Sequence, residues 1–214
     1  MKKIFTLILS CALLFTLAAC GNSTAENENS SQNISPSAMP QTDSPPQGTA
    51  GTQTDSKSLV VYFSWSGNTE TIAKEIASQT GSDIFQITPV NSYSTDYDTV
   101  VDFAKQEQRD NARPEIAGTI GNFSEYDVIY MGFPNWWGDM PMIMYTFLDT
   151  YDLSGKTLAP FVSSGGSGFS NTISSMKEAE PNATITEGLS LSSSASKNPS
   201  GAVTDWLAEI GLNK

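Results

Sequence analysis

The segment LVVYFSWSGNTETIAKEIASQTG (residues 59–81) carries the local signals that decide the fold class. Its first five residues are all apolar, as expected for a strand that is buried on both faces of a sheet. From residue 69 onward, apolar side chains recur at the spacing of one helix face, and Gly81 is a favourable helix end. The polar loop SWSGNT (residues 64–69) joins these two elements. The segment therefore predicts a buried strand, a short polar loop and a helix.

The same alternation of strand and helix signals continues to the end of the chain. It implies a parallel sheet covered by helices on both faces, so the predicted fold is an α/β, doubly wound, five-stranded sheet. Pro160 predicts incomplete pairing in the fourth strand. The predicted strands are 59–63, 84–88, 128–133, 157–162 and 184–191, and the predicted helices are 69–80, 97–111, 142–151, 171–179 and one around 203–210.

The first 56 residues differ in composition from the rest of the chain. Two lysines and an apolar run precede LAAC, which ends at Cys20 and resembles the lipobox of bacterial lipoproteins. Residues 1–19 are therefore predicted to be a lipoprotein-type signal peptide, with Cys20 lipidated at the extracytoplasmic face of a bacterial membrane. An ordinary signal peptide is the alternative. Residues 20–56, rich in Ser, Thr, Asn and Pro, are predicted to form a disordered tether before a single domain at 57–214.

Composition excludes several classes of chemistry. The net charge is −12, and removal of the signal peptide would leave 9 basic against 23 acidic residues, a charge of −14. Such a protein is not expected to bind nucleic acid, and at a membrane it would depend on the lipid. There is no His, and Cys11 and Cys20 are the only cysteines. No Ser-His-Asp site, metal site or internal disulfide is therefore predicted, and no catalytic side chain is assigned.

Three unusual loops follow predicted strands, and the carboxyl ends of parallel strands share one edge of a sheet. In SWSGNT (residues 64–69), small polar side chains and a glycine precede a helix, whose free N–H groups favour phosphate. Asn68 stands where nucleotide-hydrolysing loops carry Lys, which argues against ATP or GTP. A helix that is simply well capped is the alternative interpretation.

The second and third loops suggest a planar partner for that phosphate. PNWWGDMP (residues 134–141) places two adjacent tryptophans in a turn, where they could stack on a flat heteroaromatic ring or merely cover the core. SSGGSGF (residues 163–169) could bring backbone amides close to a ligand edge, or could be a flexible loop. A ligand with a phosphate at one end and a flat ring system at the other fits all three loops, and FMN is such a ligand.

From residue 57 to residue 212 the chain resembles the flavodoxin family, on the strength of SWSGNT followed in order by PNWWGDMP and SSGGSGF. The resemblance implies strand order 2-1-3-4-5 and FMN as cofactor, with Trp65 contributing its backbone. The implied phosphate-binding residues are Ser64, Trp65, Ser66, Gly67, Asn68 and Thr69. Those expected to border the flavin ring are Pro134, Asn135, Trp136, Trp137, Gly138, Ser164, Gly165, Gly166 and Phe169.

The sequence leaves three functions open. The first is an FMN-binding electron carrier with a redox partner protein, and the second is an NAD(P)H-dependent quinone or flavin reductase acting on a small planar acceptor. The third is a tethered binding protein without redox chemistry. The glycine-rich third loop lacks the acidic and aromatic pattern of the best-known flavodoxin carriers. The long segment at 91–123 could wall a substrate pocket.

Overall fold

The computed structural model describes residues 56–213. Strands and helices alternate along them, with short 3-10 turns at Phe123–Glu125 and Ala195–Lys197. The strands are β1 (Ser58–Tyr62), β2 (Asp83–Gln86), β3 (Val128–Pro134), β4 (Thr157–Ser164), β5 (Thr184–Ile185) and β6 (Leu189–Ser192). The helices are α1 (Asn68–Thr80), α2 (Tyr97–Arg109), α3 (Met142–Thr150), α4 (Thr172–Ala179) and α5 (Ser200–Glu209).

The strands form one parallel sheet in the order β2-β1-β3-β4-β5, and β6 also pairs with β4. The predicted doubly wound α/β fold with order 2-1-3-4-5 is confirmed. β2 lies on one side of β1, whereas all later strands lie on the other side. This reversal leaves a crevice at the carboxyl ends of β1 and β3, which is where open sheets of this kind bind ligands.

The last strand position differs from the prediction of one continuous strand. Leu158 of β4 pairs with Ile185, whereas Phe161 pairs with Leu189, so the outer chain holds one extra residue between these pairs. An extra residue on one side of a ladder is a bulge, which interrupts pairing locally. The predicted strand is therefore divided into β5 and β6.

Pro160 provides the physical reason for this interruption. Backbone groups of a strand point alternately to its two neighbours, and the Thr157 N–H donates to Asp127 on the β3 side. Position 160 therefore faces the outer strand, and proline has no N–H to donate there. The bulge falls opposite the position at which the ladder lacks a donor.

Each face of the sheet carries its own hydrophobic core. In β1, Val61 faces one core and Val60 faces the other, as the alternation of a pleated strand requires. α3 closes the first core through Phe147, whereas α1 and α5 close the second through Ile76 and Trp206. Because both faces are covered, the central strands carry consecutive apolar residues, as at 59–62 in β1 and 128–131 in β3. Ligand access is left to the sheet edge formed by the strand ends.

The predicted signal peptide at 1–19, Cys20 and the tether up to residue 55 lie outside the described residues, so they remain predictions. Between residues 56 and 213, no helix is both long enough and apolar enough to cross a membrane. Within the same range, no group of three or more Cys, Asp or Glu side chains is arranged to hold a metal ion.

Candidate functional site

The carboxyl ends of β1, β3 and β4 open into a cleft of about 480 Å³, a volume within the usual range for small-molecule pockets. The three predicted loops meet in this cleft, because each follows one of these strands. Several predicted site residues line it: Trp65, Ser66, Asn68, Pro134, Asn135, Trp136, Trp137, Ser164 and Gly165. The sequence motifs therefore come together at a single place in the fold.

The first loop presents the start of α1 to the cleft. Gly67 caps the helix with a φ of 86°, and its N–H donates to the Ser64 hydroxyl at 3.2 Å. Among the described residues, no side chain caps this helix, so the N–H groups of its first turn can donate to an anion. The Asn68 amide donates to the Ser66 hydroxyl at 3.1 Å at the cleft wall. The loop thus offers neutral donors at a partially positive helix end.

Two oppositely charged side chains near the start of α1 pair with each other. Glu70 lies in the first turn of α1, and its carboxylate is 2.5 Å from the Lys74 ammonium one turn later. An exposed pair of this kind contributes little stability. The pair nevertheless engages the ammonium of Lys74. The groups left to meet a phosphate at this end of α1 are therefore neutral.

Trp136 and Trp137 lie at the tight turn that follows β3. The Trp136 N–H donates to the Asp139 carbonyl at 2.8 Å, and the Asp139 N–H donates back to the Trp136 carbonyl at 3.1 Å. The two central residues, Trp137 and Gly138, have φ values of 55° and 82°. Positive φ at both positions is the mark of a type I′ turn. A bulky residue seldom adopts this conformation, so the turn holds Trp137 under backbone strain at the cleft.

Trp136 is held by a cluster of aromatic rings. Its ring meets Phe63 and Tyr93 edge to face, with centroids 5.4 and 5.3 Å away. The Tyr93 hydroxyl donates to the Glu107 carboxylate at 2.9 Å. Burial raises the pKa of Tyr93, so this hydroxyl remains a donor, and burial also raises the pKa of Glu107. The cluster fixes Trp136 before any ligand arrives, which reduces the ordering cost of binding.

Trp137 bridges the second loop and α2. Its indole N–H donates to the Val101 carbonyl at 2.9 Å. The Lys105 ammonium lies 4.3 Å from the centroid of its ring, within the range of a cation–π contact. The side chain is nevertheless 48% exposed. Trp137 therefore offers a positioned but accessible ring.

Trp65 and Tyr97 form a second aromatic contact at the cleft. The Trp65 indole N–H donates to the Ser94 carbonyl at 2.8 Å, and its ring is tilted against that of Tyr97 with centroids 6.2 Å apart. Trp65 was predicted to contribute its backbone. The residue also lines the cleft, and the hydrogen bond to Ser94 holds its indole in place. Tyr97 is 66% exposed, so the cleft offers it as a second accessible ring.

The third loop is held in place by Ser164 and Asn135. The Ser164 hydroxyl accepts hydrogen bonds from the N–H groups of Gly166 and Gly168 at 3.2 and 3.0 Å. The Asn135 amide donates to the Gly168 carbonyl at 2.7 Å, and its oxygen accepts from the Gly138 N–H at 3.0 Å. Asn135 therefore joins the second loop to the third, and the two loops form one framework.

The remaining predicted site residues lie in the same three loops without lining the cleft: Ser64, Gly67, Thr69, Gly138, Gly166 and Phe169. Thr69 is buried, and its hydroxyl is bonded to that of Ser163. The Phe169 ring packs edge-on against Phe133, with centroids 6.4 Å apart. Phe169 was expected to border a flavin ring, but it turns toward the core. The third loop therefore supplies no aromatic ring to the cleft.

Other residues line the cleft although the sequence did not single them out: Tyr97, Val100, Val101, Ala104, Ser163 and Ser193. The first four lie on α2, inside the segment at 91–123 that was expected to wall a pocket. Their spacing of i, i+3, i+4 and i+7 marks one helix face, but it does not say what that face meets. Ser193 follows β6, just after the last predicted strand, and no loop motif in the sequence marked it.

Comparison with known proteins places this site in a family. The sequence profile described as flavodoxin matches residues 57–210, a range that includes every residue lining the cleft. The chain belongs to the flavodoxin family. No curated protein sequence matches it significantly.

Solved structures resemble this flavodoxin-family protein over about seven tenths of its chain. A candidate flavoprotein from Bacteroides eggerthii is 33% identical, covers 73% of this chain and 99% of its own, and has a TM-score of 0.66. One from Bacteroides uniformis is 32% identical, covers 72% and 98%, and scores 0.65. A flavoprotein from Lactobacillus acidophilus, solved in complex with FMN, is 25% identical, covers 71% and 98%, and scores 0.57.

Proposed function

We propose that this flavodoxin-family protein binds FMN and transfers electrons at the extracytoplasmic face of a bacterial membrane. The observation that carries the proposal is the cleft, which joins an uncapped helix start to accessible aromatic rings. A phosphate suits the first feature, and a flat ring system suits the second. The Lactobacillus acidophilus relative was solved with FMN, which supports the same cofactor here.

The cleft residues divide into two groups toward such a cofactor. Ser66, Asn68 and the N–H groups of the first turn of α1 would hold the phosphate through neutral donors. Trp136 and Trp137 would border the isoalloxazine, and Gly165 has no side chain to keep the backbone from the edge of the ring. When bound, FMN supplies the transfer of electrons, whereas the protein supplies binding, orientation and electrostatics.

The chain's own charge would tune the reaction. It carries 23 acidic against 11 basic residues. Their negative field disfavours further negative charge on the bound ring, which lowers the reduction potential. The same field favours a redox partner protein with a basic surface, because complementary charge speeds encounter.

The test is an absorption titration of the purified chain with FMN, followed by anaerobic reduction. Shifted flavin bands, with reduction by dithionite but not by NADH or NADPH, would support an electron carrier fed by another protein. Absence of any shift would contradict FMN binding. The remaining candidate function would then be that of a tethered protein that binds another phosphorylated ligand.

A reductase is the second candidate, and the third loop favours it. Phe169 packs against the core, and Gly165 lines the cleft where a stacking side chain would otherwise lie. One side of a bound flavin ring could therefore remain open to a second planar molecule, such as a quinone. Rapid reduction by NADH or NADPH, with turnover of a quinone, would exclude the simple carrier. Slow reduction with no quinone turnover would exclude the reductase.

The membrane location is proposed from the sequence, and Cys20→Ala tests it. In bacterial cells the natural chain is expected in the membrane fraction, labelled by a clickable fatty acid. The Cys20→Ala variant should lose the label and leave that fraction. Cys11→Ala is the matched control, because position 11 lies within the predicted signal peptide and should leave lipidation intact. A Cys20→Ala variant that still incorporates fatty acid would contradict the anchor.

A further inference from the structure

The turn that carries the two cleft tryptophans needs support from outside itself. Trp137 has a φ of 55°, a conformation that costs free energy in a bulky residue. Strained residues of this kind persist only where the surrounding contacts over-determine them. Asp139 is where such contacts meet the turn, because its backbone closes the turn with Trp136 and its side chain leads away from it.

The side chain of Asp139 ties the turn to two helices. Its Oδ2 accepts hydrogen bonds from the Tyr145 hydroxyl of α3 at 2.9 Å and from the Ser175 hydroxyl of α4 at 3.0 Å. Its Oδ1 accepts from the N–H of Met140 at 2.8 Å. Tyr145 and Ser175 both lie outside the set of residues that line the cleft. One carboxylate thus connects the tryptophan turn with α3 and α4.

The donor on α3 is itself held in place. Burial raises the pKa of Tyr145 to about 12, so its hydroxyl keeps the proton that it donates at neutral pH. The guanidinium of Arg113 lies 5.2 Å from the centroid of the Tyr145 ring, within the range of a cation–π contact. Hydrogen bonds to a carboxylate are stronger than those between neutral groups. Loss of the Asp139 carboxylate would therefore release the turn from α3 and α4.

We propose that Asp139 is a positioning residue of the candidate FMN site and sets the orientation of the Trp136 and Trp137 rings through its bonds to α3 and α4. Asp139 does not itself line the cleft, so it acts through the turn. The inference rests on the proposed function, because the rings concerned are those assigned to the isoalloxazine. It adds that two helices outside the cleft determine how the rings meet the cofactor.

The test compares variants with the natural protein by circular dichroism and by titration with FMN. Asp139→Ala removes all three hydrogen bonds to the side chain, whereas Tyr145→Phe combined with Ser175→Ala removes the two hydroxyl donors and leaves the turn sequence intact. Both should change the near-ultraviolet signal of the tryptophans in the apoprotein and the visible signal of FMN at saturation. FMN binding should weaken roughly tenfold, the factor that corresponds to loss of about one charge-assisted hydrogen bond.

Two further variants serve as controls. Asp139→Asn keeps an oxygen that can accept from the two hydroxyls, so its changes should be smaller than those of Asp139→Ala. Asp152→Ala is the matched control at another carboxylate that accepts from a backbone N–H, that of Ser154 at 3.0 Å. Asp152 is exposed and lies outside the cleft, so this variant should leave the tryptophan signal and the FMN affinity unchanged.

Two outcomes would overturn the inference. Lower stability of Asp139→Ala with unchanged dichroism of the tryptophans and of saturating FMN would mean that the residue only supports the fold. Unchanged signals in the Tyr145→Phe, Ser175→Ala double variant would mean that α3 and α4 do not act on the turn, and this variant decides if Asp139→Ala does not fold. A natural protein that does not bind FMN would contradict the proposed function alone, because the tryptophan signal of the apoprotein still tests the positioning.

Discussion

The hydroxyl of Thr69 lies 2.8 Å from the hydroxyl of Ser163, although 94 positions separate the two residues. Thr69 belongs to the first turn of α1, and Ser163 lies near the end of β4. Both side chains are buried, and Ser163 also lines the cleft. The contact joins the helix start proposed to hold the phosphate to the strand that carries the third loop. The two ends of the candidate FMN site therefore share one rigid support.

Thr69→Val should destabilise the fold, because it removes one partner of this buried bond without changing the side-chain shape. The Ser163 hydroxyl would remain buried without its partner, which costs about 1–3 kcal/mol. FMN affinity should fall as well, since the start of α1 loses its link to β4. Urea unfolding of the apoprotein and titration with FMN measure the two effects.

A double-mutant cycle separates this bond from general packing loss. Thr69→Val combined with Ser163→Ala should recover part of the stability, because no unpaired hydroxyl remains. Thr150→Val serves as a control at an exposed helical threonine and is expected within about 0.5 kcal/mol of the natural protein. Strictly additive losses in the double variant would show that the hydroxyl pair is not coupled.

Trp137→Asn should separate turn stability from ligand binding. Asn followed by Gly is the preferred pair for a type I′ turn, so the substitution relieves backbone strain at a φ of 55°. The loss of the indole contacts to α2 offsets this gain, and the unfolding free energy should change by less than about 1 kcal/mol. FMN affinity should fall by about 1–3 kcal/mol if the indole stacks on the flavin ring. Fluorescence titration with FMN gives the affinity.

Gly138→Ala is the matched variant with the opposite pattern. A Cβ at this position would have Ser170 Cβ at 3.8 Å as its nearest neighbour, so space is available. The φ of 82° still disfavours alanine, and the fold should lose about 1–2 kcal/mol while both tryptophans remain. Unchanged FMN affinity in Trp137→Asn would contradict a stacking role for Trp137.

Glu107 should make stability depend on pH. Burial raises its pKa above the ordinary value of 4.5, so the folded state binds this proton more tightly than the unfolded state. The resulting stabilisation is present at acid pH and is lost as pH rises from 4.5 through the folded pKa. The stability of the natural protein relative to Glu107→Gln should therefore fall over that range. Urea unfolding of both proteins at several pH values from 4 to 8 measures the difference.

Tyr93→Phe provides an independent check of the same pair. The hydrogen bond from Tyr93 lowers the pKa of Glu107 and so opposes the effect of burial. Its removal should raise the pKa of Glu107 further and extend the loss of stability to higher pH. A difference between the natural protein and Glu107→Gln that does not vary with pH would contradict the assignment.

The architecture could be predicted from sequence because the main signals are local. β1 and β3 contain continuous apolar runs, and Gly81 ends α1 where expected. The division of the last strand depends on a long-range register: Pro160 in β4 has no N–H to donate to the outer strand. The sequence suggested weak pairing at Pro160, but it could not show which neighbouring strand would be interrupted.

The candidate site was predictable only in part, for a similar reason. Loop motifs placed Trp136 and Asn68 at the correct edge of the sheet, since parallel strands end together. The contribution of Tyr97 depends on where α2 packs, which its own periodicity does not reveal. Phe169 has an aromatic side chain in a predicted ligand loop, yet the core contact with Phe133 determines its direction.

Gly188→Ala should be destabilising although glycine is not needed there for a positive φ. An added Cβ would lie 2.4 Å from the ring of Phe169 and 3.1 Å from the Pro160 carbonyl oxygen. The ring is held against Phe133, so it cannot move aside freely, and the overpacking should cost about 1–3 kcal/mol. Gly188 thus permits the bulge and the inward turn of Phe169 at once.

Gly201→Ala is the control for this substitution, because a Cβ at that position of α5 meets no atom within 4 Å. It should stabilise the fold by about 0.4–1 kcal/mol through the reduced entropy of the unfolded chain. Phe169→Leu should reduce the cost of Gly188→Ala, since a smaller side chain vacates the contact. If the cost is the same with Leu at position 169, the clash lies with the Pro160 backbone, and the bulge rather than Phe169 requires glycine.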